Sequence, residues 1–406
     1  MYSRFLAPRL QEALADTPVV LIHGARQVGK TTLAMAAGGK ERQAFSLDRT
    51  PTLAAARSDP DGFVDGLTGP VFIDEIQRAP ELFPAIKHAV DRDRTPGRFL
   101  LTGSANVLAM PKLSESLAGR MEVCALWPLM QAEIEHSAGG IVDALFANGP
   151  MPEPRRKDTD LWERVLRGGY PEAVARRTPD RRRAWFDSYV DTILQRDIRD
   201  LANIDRLTEM PRLLQLLAAR TSGLLNYSEL ANSLSMPQTT LKRYIALLES
   251  VFLVRMIPAW TSNLSGRVIK SPKVHLLDTG LAAALLAADR DRLEQNGTLR
   301  GQLLETFATM ELVKLASESR VRPRVHHFRT TGGREVDVVL EAPDGRIVGV
   351  EIKASNSVGA DAFKGLDILS EAAGTRFQGA VVLYGGDQVV PFGLKRNAVP
   401  IRSLWS

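Results

Sequence analysis

Residues 18–37 read PVVLIHGARQVGKTTLAMAA, an apolar run that enters a glycine-flanked turn and leaves it as a helix-forming stretch. Val19–Ile22 suit a buried strand, and Thr31–Ala37 suit a helix. Between them, Gly24–Thr31 fit GxxxxGK(S/T) at every fixed position. Gly24 and Gly29 permit turns that aim backbone N–H groups inward, and the start of the following helix adds a field that favours anionic oxygens. An ammonium at Lys30 reaches β- and γ-phosphates, and a hydroxyl at Thr31 ligates Mg²⁺. A chance glycine-rich turn would lack the strand and helix on either side. The stretch therefore predicts a nucleotide cradle made by Gly24, Ala25, Arg26, Gln27, Val28, Gly29, Lys30, Thr31 and Thr32.

Working outward, residues 69–77 read GPVFIDEIQ, with Asp74 closing an apolar strand and Glu75 directly after it. A carboxylate at Asp74 is placed to hold Mg²⁺ together with Thr31, and Glu75 is the candidate general base for an attacking water. Residues 98–106, RFLLTGSAN, form another apolar run that ends in Thr102, Ser104 and Asn106. Ligands of open α/β sheets sit at the carboxyl ends of strands, so one of these polar groups should face the γ-phosphate; Ser104 is the one carried forward. Arg120, in SLAGRME, is either a charge-stabilising arginine supplied to a neighbouring copy's site or a solvated surface residue.

The runs PVVLIHG, QAFSLD, PVFIDE and RFLLTGS alternate with helical patterns such as ELFPAIKHAV. That alternation indicates βαβ units and a parallel sheet. GARQVGKTT, VFIDEIQ, LLTGSAN and SLAGR, in this order, resemble the prokaryotic AAA-type ATPases that carry a C-terminal domain of unknown function. RGGYPE (Arg167–Glu172) and YVDTILQRDI (Tyr189–Ile198) extend the likeness over essentially the whole chain. The resemblance implies a RecA/AAA-like P-loop core with a parallel sheet, a helical and winged-helix middle, and an α/β C-terminal domain of the PD-(D/E)xK nuclease type. The expected divisions are an ATPase core at 1–127, a helical segment at 128–209, a winged-helix-like segment at 210–265 and a nuclease-like domain at 266–406. NGPMPEPRRKD reads as a loop within the second of these.

Residues 226–250, NYSELANSLSMPQTTLKRYIALLES, have the form helix, turn, helix, followed by FLVRMIPAW as a wing strand. Ser228 is the expected cap of the first helix and Pro237 opens the second. Gln238, Thr239, Lys242 and Arg243 would then face a partner such as DNA. The same unit could equally serve only for packing.

Further along, residues 334–355 read REVDVVLEAPDGRIVGVEIKAS. Residues two apart on a strand share a face, so Glu351 and Lys353 project together. A hairpin across PDG brings Asp337 close, and Glu305 on the preceding helix adds a carboxylate. Glu305, Asp337, Glu351 and Lys353 thus resemble a PD-(D/E)xK site able to hold Mg²⁺ and activate water. A solvated hairpin face, or a nuclease-like fold kept only for binding, accounts for the same residues.

The chain has 406 residues, too many for one ordinary core, and a formal net charge of +5. That excess suits nucleic acid without requiring it. The lone Cys124 excludes a disulfide framework or a cysteine-ligated zinc site and fits a reducing cytoplasm. The N-terminus lacks the apolar core of a signal peptide and no run is long enough to span a membrane. The arginine run 181–183 reads as a solvated helix face. The expectation is an ATP- and Mg²⁺-dependent ATPase, able to form homo-oligomers, that couples nucleotide state to a DNA-binding or nuclease-like C-terminus. The competing expectation is a nucleotide-gated signalling or scaffold switch whose C-terminus is catalytically inactive. ATP is preferred to GTP through the resemblance and because no NKxD-type segment is present.

Overall fold

The protein is seen in a computed structural model that describes residues 2–39, 41–105, 117–147, 149, 151–154, 160–201, 207–262 and 271–406. Asn106 and part of the NGPMPEPRRKD stretch lie outside these residues. Two compact units are formed: residues 1–128 with 250–252, and residues 129–249 with 253–406.

In the first unit, strands β1 (Val19–His23), β2 (Gln43–Ser46), β3 (Val71–Asp74), β4 (Phe99–Gly103) and β5 (Met121–Ala125) alternate with helices α1 (Leu6–Asp16), α2 (Lys30–Ala37), α3 (Thr50–Ser58), α4 (Pro60–Asp65) and α5 (Leu82–Arg92). The sheet order is β2-β3-β4-β1-β5, and every pairing is parallel. The four strands read from apolar runs are β1 to β4. β5, shorter on apolar residues, was not among them. Parallel strands covered by helices read as near-continuous apolar runs, and Val19–Ile22 and Phe99–Leu101 are wholly buried. Leu82, Phe83, Ala85, Ile86, Ala89 and Val90 form the buried stripe of α5, at the three- and four-residue spacing of one helix face. They join Val19, Leu21, Val71, Ile73, Phe99 and Leu101 in one core.

The second unit opens with short helices and carries a π-helical turn at Ile193–Asp197, inside YVDTILQRDI. Its next helices are Met210–Ala219, Tyr227–Ser233 and Gln238–Ser250. A two-stranded antiparallel ribbon of β6 (Val254–Ile257) and β7 (Lys273–Leu276) follows. The cap of helix Tyr227–Ser233 is Asn226, whose side chain accepts the Glu229 N–H at 3.2 Å. Ser228, expected in that role, instead accepts a bond from Gln238 Nε2 at 2.9 Å. The helix starts two residues earlier than a cap at Ser228 would allow. The arginine run is also corrected: Arg181 and Arg183 are exposed, but Arg182 is only 6% exposed and pairs with Glu163 at 2.5 Å. Three successive helical residues cannot share one face.

The long helix Gly297–Glu318 precedes a six-stranded sheet of order β12-β13-β11-β10-β9-β8. Its strands are β8 (Arg324–Arg329), β9 (Glu335–Glu341), β10 (Ile347–Ile352), β11 (Phe377–Tyr384), β12 (Val390–Pro391) and β13 (Arg396–Pro400). β8-β9, β9-β10 and β12-β13 are antiparallel, while β10-β11 and β11-β13 are parallel. The β9-β10 turn is the APDGR reversal read from sequence, closed by Ala342 N to Arg346 O at 2.9 Å. Helix Lys364–Ala373 lies so close to β10 that a Cβ at Gly349 would come within 2.6 Å of Leu366 and 2.7 Å of Leu369. That approach needs glycine.

Candidate functional site

In the first unit, β1, β3 and β4 lie side by side, so His23–Gly24, Asp74–Glu75 and Gly103–Ser104 end at one edge of the sheet. The glycine-rich turn leaves β1 there. Gly24 has φ 155° and Gly29 has φ 97°, both in backbone territory that favours glycine. A Cβ at Gly24 would fall 2.1 Å from the Leu126 carbonyl oxygen. Lys30, the first residue of α2, is 5% exposed and folds its ammonium onto the Gly24 and Ala25 carbonyls at 3.0 Å each.

Thr31 Oγ1 stands 3.0 Å from Asp74 Oδ1 and 3.3 Å from Oδ2. Thr102 donates a second hydroxyl bond to Asp74 Oδ1 and accepts the Glu75 N–H at 3.2 Å. Burial pushes the Asp74 carboxyl above its ordinary pKa; the Glu75 charge adds to this, while bonds from Thr102 and Thr31 and the Lys30 charge oppose it. A hydroxyl and a carboxylate converging here are the hard oxygen donors that Mg²⁺ prefers, so the residues fit that ion.

Glu75 adopts φ 60°, an uncommon conformation for a side chain of its kind. Its carboxylate accepts a bond from Ser104 Oγ at 2.7 Å and another from Gln77 Nε2; Gln77 also donates to Ser104 at 2.9 Å. Gln77 and the partition of roles between Thr102 and Ser104 were not apparent in the sequence. The visible signal was only that VFIDEIQ carries an amide two residues past the glutamate. Arg4 was missed as well: it donates to Val28 O at 2.7 Å and to Trp127 O at 2.6 Å, bracing the turn from outside the motif.

Arg120 is not in this group. It precedes β5 at the opposite edge of the sheet, where its carbonyl accepts the Val19 N–H, and its side chain donates to Asp91 at 2.6 Å. It does not reach the P-loop of its own unit.

The second constellation assembles in the second unit. The β9-β10 register runs through Val338 and Val350, which sets Asp337 and Glu351 one step beyond the last pair. Lys353 Nζ lies 2.7 Å from Glu351 Oε1. Asp337 Oδ2 accepts the Ile352 N–H at 2.9 Å. A residue not anticipated stands among them: Lys273, on β7, places its ammonium 2.6 Å from Glu305 and 3.4 Å from Asp337, with its side chain only 3% exposed. Among the described residues, no three His, Cys, Asp or Glu side chains are grouped to hold a metal ion.

Burial and the Asp337 charge push Glu305 up to about 8, against the pull of Lys273. Burial and the same aspartate push Glu351 up to about 7, against Lys353. For Lys273, burial acts downward, but Glu305 and Asp337 outweigh it and hold the ammonium charged. The RGGYPE segment is placed elsewhere in this unit, where Gly169 donates to buried Asp278 at 2.6 Å and its carbonyl accepts the Leu129 N–H at 2.7 Å.

A parallel sheet, a glycine-rich turn before a helix, and an acidic pair on the neighbouring strand define a P-loop ATPase unit of the AAA type. An AAA domain family matches residues 16–135, and two families described only as domains of unknown function, DUF8612 and DUF4143, match 158–292 and 300–404. The chain is 36% identical over 355 residues to the uncharacterized protein Rv2008c of Mycobacterium tuberculosis, covering 87% of this chain and 74% of that one. The same figures hold for Mb2031c of Mycobacterium bovis. The chain belongs to the family of these two proteins. Among solved structures, a Thermotoga maritima RuvB variant is similar at 20% identity, with a TM-score of 0.32, over 63% of this chain and 89% of its own. C. elegans PCH-2 is similar at 13% identity and a TM-score of 0.26, over 60% and 70% of the two chains. Both scores are too low to specify a shared overall architecture. Among the described residues no helix is long and apolar enough to cross a membrane.

Proposed function

We propose that the first unit binds ATP with Mg²⁺ and hydrolyses it. The observation that carries this reading is the meeting of Lys30, Thr31, Asp74, Glu75 and Ser104 at one sheet edge. The amides of Gly24–Thr32 cradle the phosphates, and Lys30 exchanges its two carbonyl partners for β- and γ-oxygens. Thr31 and Asp74 hold Mg²⁺, which when bound neutralises charge on the phosphates. Glu75 aligns and deprotonates the attacking water once it turns from Ser104 and Gln77. Arg120, remote from its own P-loop, serves the site of a neighbouring copy in a homo-oligomer.

ATP turnover by the wild type, Lys30→Ala and Glu75→Gln tests this. Lys30→Ala should lose nucleotide binding, and Glu75→Gln should bind ATP but hydrolyse it about 10²-fold or more slowly. Full turnover by Glu75→Gln would remove Glu75 from the role of base.

In the second unit, the three helices with the β6-β7 ribbon support a winged-helix reading. Gln238, Thr239, Lys242 and Arg243 are exposed at the start of helix Gln238–Ser250, the end that would meet a nucleic-acid groove. Nucleotide state would then control contact with DNA. The arrangement of Glu305, Asp337, Glu351 and Lys353 supports a PD-(D/E)xK-like framework for the last sheet. Stimulation of turnover by DNA, with binding that weakens as salt rises, is the expected result. If DNA neither binds at low salt nor changes turnover, the nucleotide-gated scaffold is the correct reading.

A further inference from the structure

A two-metal or one-metal phosphodiesterase centre needs carboxylates whose free oxygens face a space that a cation can enter. In the cluster around Asp337 an ammonium already stands among these carboxylates, and Glu351 Oε2 is buried without a hydrogen-bond partner. Asp337 Oδ2 is committed to the Ile352 N–H and Oδ1 faces Lys273; Glu305 Oε1 is bonded to the same ammonium, and Glu351 Oε1 to Lys353. Lys273 reaches this point from β7, where all four strand residues are buried, so its side chain has no solvent route of the kind open to Lys353, which is 42% exposed.

We propose that Lys273 is the resident cation of this cluster, occupying the position a divalent metal would take, so that the sheet is a metal-free ion lock and does not cut phosphodiester bonds. The charges agree with this assignment. Buried carboxyls are stabilised by a proton or by a nearby cation, and here the cation among them is covalently part of the chain. One ammonium between two carboxylates also ties the β6-β7 ribbon to helix Gly297–Glu318 and to β9. The inference stands whether or not the first unit hydrolyses ATP, since Lys273, Glu305, Asp337, Glu351 and Lys353 all belong to the second unit.

The test uses the full chain, Mn²⁺ followed by electron paramagnetic resonance, and thermal unfolding with and without Mn²⁺. The wild type and Asp337→Asn should bind equal amounts of Mn²⁺, because the cluster contributes no site. Lys273→Met should gain one Mn²⁺ site, show a rise in Tm on adding Mn²⁺ that the wild type lacks, and lose both when combined with Asp337→Asn. Supercoiled plasmid should remain intact with wild-type protein in Mg²⁺ or Mn²⁺. A wild-type Mn²⁺ site that disappears in Asp337→Asn, or nicking abolished by that change, overturns the proposal. So does a folded Lys273→Met protein that gains no site. Should Lys273→Met fail to fold, the comparison of wild type with Asp337→Asn decides alone.

Discussion

Gly24 shows how a single position constrains the phosphate site. Its φ of 155° is near the extended limit, but a Cβ would overlap the Leu126 carbonyl oxygen at 2.1 Å. Backbone, not a flexible side chain, blocks the space, so the turn must shift to admit any substitution. Gly24→Ala should therefore abolish nucleotide binding measured by calorimetry, with a loss of stability of about 1–3 kcal/mol. Ser104 makes the opposite case. It holds Glu75 away from water-activating freedom by a 2.7 Å bond shared with Gln77. Ser104→Ala keeps the fold and removes one of the two side-chain donors to Glu75. Turnover should change by about 10-fold or less, far below the effect of Glu75→Gln, as single-turnover kinetics would show.

At the scale of elements, the buried charges joining β7, β9, β10 and helix Gly297–Glu318 set a pH dependence. Three carboxyls, Glu305, Asp337 and Glu351, face two ammoniums, Lys273 and Lys353. Glu351 is raised from 4.5 to about 7. An acid whose folded pKa lies above its unfolded value favours folding most below the unfolded value, and that contribution is lost as pH climbs through the folded one. Stability should thus fall between about pH 4.5 and 7 by on the order of 1–3 kcal/mol from this group. Glu351→Gln should flatten the slope of the denaturation midpoint against pH; an unchanged slope would contradict the burial of this carboxyl. The helix Gln238–Ser250 makes a second prediction. Lys242→Ala with Arg243→Ala should weaken DNA binding across sequences and lower the salt slope by about 2, with the remaining exposed groups still bonded as before.

For the whole molecule, Arg120 and Glu75 lie at opposite edges of the same sheet. If Arg120 acts in a neighbour, the contact is head-to-tail, and two defective variants can complete each other. An equal mixture of Arg120→Ala and Glu75→Gln should recover about a quarter of the wild-type rate, although each alone is inactive. No recovery in a mixture shown to co-assemble would assign Arg120 to its bond with Asp91 alone.

The phosphate cradle was legible from residues 18–37 because its chemistry is local: glycines, lysine and hydroxyl act within one turn between a strand and a helix. The strands β1 to β4 were legible for the same reason, as burial on both faces leaves a continuous apolar signal, whereas β5, β12 and β13 carried too little of it to be read. Spacing within one strand likewise brought Glu351 and Lys353 together. Lys273 was beyond reach, since it arrives from 32 residues before Glu305 and 64 before Asp337, and no local pattern encodes a meeting of that separation. The bonds of Gln77 and Ser104 to Glu75, and the displacement of Arg120 to the far edge, depend on strand order. A chain's periodicity specifies which residues face inward; only the packed sheet decides which of those inward groups touch.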